Sequence, residues 1–181
     1  MLNLEPKIEK LVVGFLLTNC YLVFSERDVA VIDPGDEAGE ILRKLNKRKL
    51  KYIINTHYHP DHILANKELQ KKTGAKILIH KKEKEFLDFD PDVFLEEGNI
   101  IKIGKIQLKV LNTPGHSKGS ICLLGDKFIF TGDTLFRDGV GRTDLAGGSR
   151  EDMEKSLVRL DRIIKTKMMI YPGHGEVFRK S

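Results

Sequence analysis

Directly after the apolar, β-branched run KYIIN, residues Thr56 to His62 read THYHPDH. Three imidazoles and one carboxylate thus fall within six positions, at the end of what the pattern reads as a strand. Few arrangements accommodate this. As core, every ring would need its own buried partner, because an unpaired polar group in an apolar interior costs several kcal/mol. As a ligand set the cluster has a use: neutral imidazole is the commonest protein metal ligand, and a carboxylate brings the negative charge that a divalent ion requires. In extended chain His57 and His59 project to the same side, so two ring nitrogens can meet at one ion. Asp61 and His62 follow once Pro60 turns the chain, and could serve a second ion nearby.

The remaining chain supplies companions in the same kind of place. Strand-like segments recur at KLVVGFLL, CYLVFS, VAVID, KYIINT, AKILIH, IQLKVLNT, SICLLG, KFIFTG and MMIYPG. Between them EAGEILRKLNKRK, LANKELQKKT and SREDMEKSLVRLDRIIK carry apolar residues at helical spacing, and Ser149 with Asp152 forms a helix-start signal in the last. Strands partly alternate with helices and partly follow one another, which indicates an α/β or α+β layered architecture. No repeat or linker divides residues 1–181, and one domain is expected. Gly-rich turns sit at strand ends: DPGD with Asp33, TPGHSKG with His116, TGDT with Asp133 and PGHG with His174. Rigid sheets commonly present chemistry on such loops. The sixth histidine, His80 at the end of KILIH, reads instead as a strand-terminal surface residue.

Charge and composition exclude several classes. The net charge of +5 comes from scattered lysines alternating with acids and lacking interleaved aromatics, a solvated surface rather than a nucleic-acid track. The longest apolar stretch, Leu11 to Leu17, is far too short for a membrane span, and the opening LNLEPKIEK is not a secretory leader. Cys20 and Cys122 lie in apolar segments and read as buried thiols in a reducing compartment, so a cytoplasmic location is expected. No nucleophile elbow is present, and the GVG at Gly139 to Gly141 lacks the dinucleotide spacing, so no organic cofactor is implied.

Taken together, THYHPDH, PGHS, FTGDTLF and PGHG, in this order and spacing, resemble the metal-binding motifs of the metallo-β-lactamase superfamily. The resemblance runs from NCYLV to the closing PGHG. It implies a four-layer αβ/βα sandwich of two mixed sheets. It also implies one metal on His57, His59 and His116, a second on Asp61, His62 and His174, and Asp133 between them. Two divalent ions, zinc, iron or manganese, would serve as cofactors and hold a hydroxide between them. Asp61, orienting that hydroxide, and the bridging Asp133 are the expected catalytic groups. Asp33 is expected either to accept a hydrogen bond from a ligand histidine or merely to start a turn before Pro34.

The stretch GDTLFRDGVGRTDLAGGS is similar to a segment of glyoxalase II-like thioesterases and persulfide dioxygenases. This implies hydrolysis of a small thioester such as an S-acylglutathione, the expected small-molecule partner. Lys118, Arg137 and Arg142 lie in or beside metal-bearing loops and could meet an acidic thiol carrier, although Arg142, next to Asp144, reads first as half of an internal ion pair. The alternatives are an iron persulfide dioxygenase using His57, His116 and Asp133, a lactonase, and a metal-dependent binding module without catalysis.

Overall fold

The computed structural model describes residues 6–180. Part of the opening segment read as free of a leader, residues 1–5, lies outside the described residues. Two six-stranded sheets form the middle of the fold. The first contains β1 (Lys7–Val13), β2 (Thr18–Ser25), β3 (Asp28–Ile32), β4 (Lys49–Ile54), β5 (Lys76–His80) and β6 (Val93–Leu95), side by side in that order. Its first three strands pair antiparallel and its last four parallel. The second contains β7 (Ile100–Ile103), β8 (Ile106–Asn112), β9 (Ile121–Leu124), β10 (Phe128–Gly132), β11 (Met169–Pro172) and β12 (Phe178–Arg179). Here only β10 and β11 run parallel, joined through the longest helix.

Helices α1 (Ala38–Lys44) and α3 (Asn66–Thr73) belong to the first half, with the single turn α2 (Pro60–Ile63) between them; α4 (Arg150–Ile163) belongs to the second. Side-chain alternation sorts the strands into layers. In β2, Cys20, Leu22 and Phe24 join a core with Ile41 of α1 and Leu69 of α3, whereas Tyr21 and Val23 join the core between the sheets with Ile32, Val110 and Phe130. A third core packs Leu111, Cys122 and Ile129 under Leu160 of α4. Helix, sheet, sheet and helix layers are therefore stacked over three apolar seams, the four-layer sandwich expected. Among the described residues no helix is long and apolar enough to cross a membrane.

Local chemistry sets the boundaries. Ser149 caps α4 by accepting a hydrogen bond from the Asp152 N–H at 3.2 Å. The helix expected through Lys49 stops at Lys44, because Asn46 and Lys47 take left-handed φ of 46° and 65°. KLVVGFLL is not one strand: Gly14 (φ 67°) and Leu17 (φ 56°) turn the chain after β1 and leave Phe15 almost fully exposed. Both cysteines are buried and free. The expectation for His80 is overturned: only 2% of its surface is exposed. The unforeseen β6 pairs alongside it, His80 against Leu95, and a 3₁₀ turn over Lys81–Phe86 folds back across the strand end.

Candidate metal centre

The two sheets present their loops at one end, and all seven predicted donor residues meet there. His57 and His59 leave the end of β4, and Pro60 starts α2, which turns Asp61 and His62 back toward them. His116 comes from the loop before β9, Asp133 from the end of β10 and His174 from the end of β11. Donor atoms of His57, His59 and His116 lie within 4.8 Å of one another, as do those of Asp61, His62 and His174. In the second triad Asp61 Oδ2 is 3.3 Å from both His62 Nε2 and His174 Nε2, and those two nitrogens are 3.4 Å apart. A tetrahedron with bonds of 2.0–2.1 Å has edges of about 3.3–3.4 Å, so these spacings suit one divalent ion. Asp133 stands between the triads, with Oδ1 3.5 Å from His62 Nε2 and Oδ2 3.5 Å from both His116 Nε2 and His174 Nε2.

Neighbouring acceptors decide which nitrogen each ring offers. Asp33 Oδ2 accepts the Thr56 hydroxyl proton at 2.7 Å, so Thr56 Oγ1, 3.0 Å from His57 Nδ1, is left to accept the imidazole proton. His62 Nδ1 is 3.0 Å from the same Asp33 oxygen. His116 Nδ1 donates to the Arg142 carbonyl at 2.7 Å and His174 Nδ1 to the Leu16 carbonyl at 3.1 Å. His57, His116 and His174 thus spend Nδ1 on a hydrogen bond and His62 sets Nδ1 beside the Asp33 carboxylate, which turns Nε2 of all four rings toward the centre, the outer arrangement of metal-ligating histidines. His59 is the exception, facing His116 Nε2 through Nδ1 at 2.8 Å. His57 Nε2 and Asp133 Oδ1 are buried and have no hydrogen-bond partner. Groups of this kind are costly unless a cation satisfies them.

Electrostatics separate the two triads. Burial, reinforced by the neighbouring imidazoles, holds His57 well below the ordinary range and His59 down to about 4, which keeps both in the neutral ligand form. Burial opposes ionisation of Asp61, but the His174 and His62 rings 3.3 Å away and the Thr18 hydroxyl outweigh it and leave a firm carboxylate. Burial likewise opposes charge on His174, yet Asp133 and Asp61 pull it up to about 9. Two carboxylates therefore create a strong demand for positive charge between them.

Asp33 is buried and has a left-handed φ of 51°; it takes the Thr56 N–H on Oδ1 at 2.7 Å as well as the contacts above. Two close approaches admit only glycine: a Cβ at Gly35 would overlap the Asp61 carbonyl, and one at Gly173 would overlap Asp133 Oδ1. The three candidate substrate contacts are all exposed and already paired. Lys118 meets Glu85 at 2.7 Å, Arg137 meets Glu176, and Arg142 forms a two-pronged pair with Asp144 at 2.7 and 2.8 Å.

Sequence reasoning passed over three groups that build the site. Thr18 donates to Asp61 Oδ2 at 2.9 Å. Asn19 donates to the carbonyls of Pro172 and Gly175, pinning the His174 loop from the opposite sheet. Glu83 is fully buried and clamps the first triad: it accepts from the Tyr58 N–H and the Ser117 hydroxyl, each at 3.0 Å, and from the Gly119 N–H. Its setting in the lysine-rich KKEKEF gives no signal for this role.

Comparison with known proteins places this geometry. A Haemophilus influenzae protein named hydroxyacylglutathione hydrolase GloC is 31% identical over 191 residues, 93% of this chain and 90% of that protein. The crystal structure of ETHE1 from Myxococcus xanthus superposes with a TM-score of 0.87 at 28% identity, over 96% of this chain and 79% of that one. A protein named TTHA1623, crystallised in a di-iron-bound form, superposes with a TM-score of 0.85 at 29% identity, over 94% of each chain. The domain profile described as Metallo-beta-lactamase superfamily matches residues 13–174, every candidate ligand included, and the chain belongs to that superfamily.

Proposed function

We propose that the chain is a binuclear metal-dependent hydrolase of small thioesters, of the S-acylglutathione kind. The observation that carries this reading is the pair of complete donor triads sharing Asp133, with Nε2 of four rings turned inward, three of them by a hydrogen bond at Nδ1 and His62 by the Asp33 carboxylate beside it. His57, His59 and His116 would hold one ion, Asp61, His62 and His174 the other, with Asp133 reaching both. Bound there, two divalent ions supply a hydroxide at neutral pH and an electrophile for a carbonyl oxygen. The chain's own part is to keep His57 and His59 neutral, keep Asp61 ionised with one lone pair committed to Thr18, and hold the loops of both sheets in register.

A thioester is favoured over other carbonyl substrates by the relative named hydroxyacylglutathione hydrolase, which matches over nearly its whole length. The exposed turn Phe15 to Leu17 offers an apolar surface for an acyl group, with the Leu16 carbonyl bonded to His174. The test is elemental analysis of the purified protein beside turnover of S-lactoylglutathione and an acyl-homoserine lactone. About two divalent ions per chain and preferential thioester cleavage, abolished in Asp61→Ala, are expected. A single iron that persists after metal supplementation, with oxygen uptake on glutathione persulfide, would overturn the proposal in favour of the mononuclear dioxygenase. Faster lactone cleavage would replace the substrate class and leave the binuclear chemistry standing.

A further inference from the structure

At the opposite end of the sandwich the described residues leave the core between the sheets open. Strand β10 leads from Phe128 at that end to Asp133 at the metal end, a span of about 16 Å for an extended chain. Ile8, Ile106, Met169 and Tyr171 pack on the inter-sheet core but keep part of their surface uncovered. They floor a cleft of about 670 Å³. This lies within the range of roughly 300–1,000 Å³ typical of small-ligand sites, which often occupy the open mouths of β structures.

The cleft's rim is strongly one-signed. Lys105, Lys109, Lys127, Lys167 and Arg179 surround it, against the single carboxylate of Asp126. Lys105 is paired with Glu26 at 2.8 Å; the other four cations form no salt bridge among the described residues. Like charges gathered in excess of their counter-charges around exposed aliphatic surface repel one another and attract an anion.

We propose that this cleft is a second binding site, independent of the metal centre, for an anionic amphiphile: an acidic head held by Lys109, Lys127, Lys167 and Arg179, and an aliphatic body laid on Ile8, Ile106 and Met169. The charge and the apolar floor each select one half of such a molecule. A polar anion would leave the floor wet, and a neutral hydrocarbon would leave the cations unanswered.

The experiment is calorimetric titration of the metal-loaded protein with decanoate, decyl phosphate and decanol, repeated on a Lys127→Glu/Arg179→Glu double variant whose melting curve and thioester turnover are checked. Saturable binding of either anion, roughly tenfold or more weaker in the double variant and far weaker for decanol, is expected. Decanoate and decyl phosphate separate a carboxylate ligand from a phosphate one. Equal affinity in parent and variant would mean that the anion binds elsewhere, the metals included, and would overturn the proposal. Absence of binding by both anions at about 1 mM would overturn it as well.

Discussion

Replacing Glu83 with Gln tests whether this buried carboxylate joins the two loops that carry the first triad. The change keeps the side-chain volume, so no cavity forms. One carboxylate oxygen serves the Ser117 hydroxyl and the Gly119 N–H, and the other serves the Tyr58 N–H. A glutamine has one oxygen only, and in either orientation its NH₂ faces an N–H that cannot accept. Stranding one buried donor costs about 1–3 kcal/mol. At about 2–4 °C per kcal/mol for a domain of this size, the melting temperature should fall by about 2–12 °C. Glu83→Ala strands both backbone N–H groups, about 2–6 kcal/mol, while Ser117 keeps its 2.7 Å bond to Ser120. Tyr58 lies between His57 and His59, and Ser117 follows His116, so loosening the clamp should also weaken zinc binding about 10- to 100-fold in a chelator competition. Glu83→Gln melting within about 1 °C of the parent, with unchanged zinc affinity, would refute the clamp.

Three further outcomes follow from the same structure. Burial, with Lys82 and Lys81 nearby, lowers His80 to about 4, so the folded state refuses a proton that the unfolded chain accepts below its ordinary 6.5. Stability present above pH 6.5 is therefore lost as pH falls toward 4, by roughly 3 kcal/mol; denaturant titrations at pH 7 and 4.5 should show a smaller acid loss in His80→Gln, and an equal loss would refute the argument. Asp33→Asn preserves a side chain that tolerates the left-handed backbone but removes the charge facing Thr56 and His62; metal content after dialysis should fall about 10- to 100-fold in affinity terms, whereas full retention would reduce Asp33 to a turn former. The Arg142 guanidinium holds the Asp144 carboxyl down to about 2, and an NMR titration of Arg142→Ala should return it toward the ordinary carboxylate value.

What could be read from the sequence, and what could not, divides along physical lines. The long strands and α4 announced themselves because each buries a periodic face or carries a cap at Ser149. The convergence of the seven candidate donors was legible because His and Asp rarely gather at strand ends without a use. The short strands β6 and β12 were not, since two or three residues are too few to show alternation. That omission carried the error at His80, which is covered by the strand beside it. Glu83, Thr18 and Asn19 escaped for a related reason: their roles lie in long-range contacts, between positions up to 156 residues apart, and nothing in their neighbours marks them.

The donors are divided between the sheets, four from the first and three from the second. This has a consequence during synthesis. His57 and His174 are separated by more than a hundred positions, so at about 5–20 residues per second the THYHPDH loop leaves the ribosome on the order of ten seconds before its last companion. Throughout that interval the nascent chain can offer an ion only an incomplete set of donors. The last candidate donor arrives with the PGHG turn, which the pairing of β11 beside β10 and the Asn19 hydrogen bonds to Pro172 and Gly175 hold in place. On the proposed ligand set, metal uptake at full strength would report that translation has run past His174.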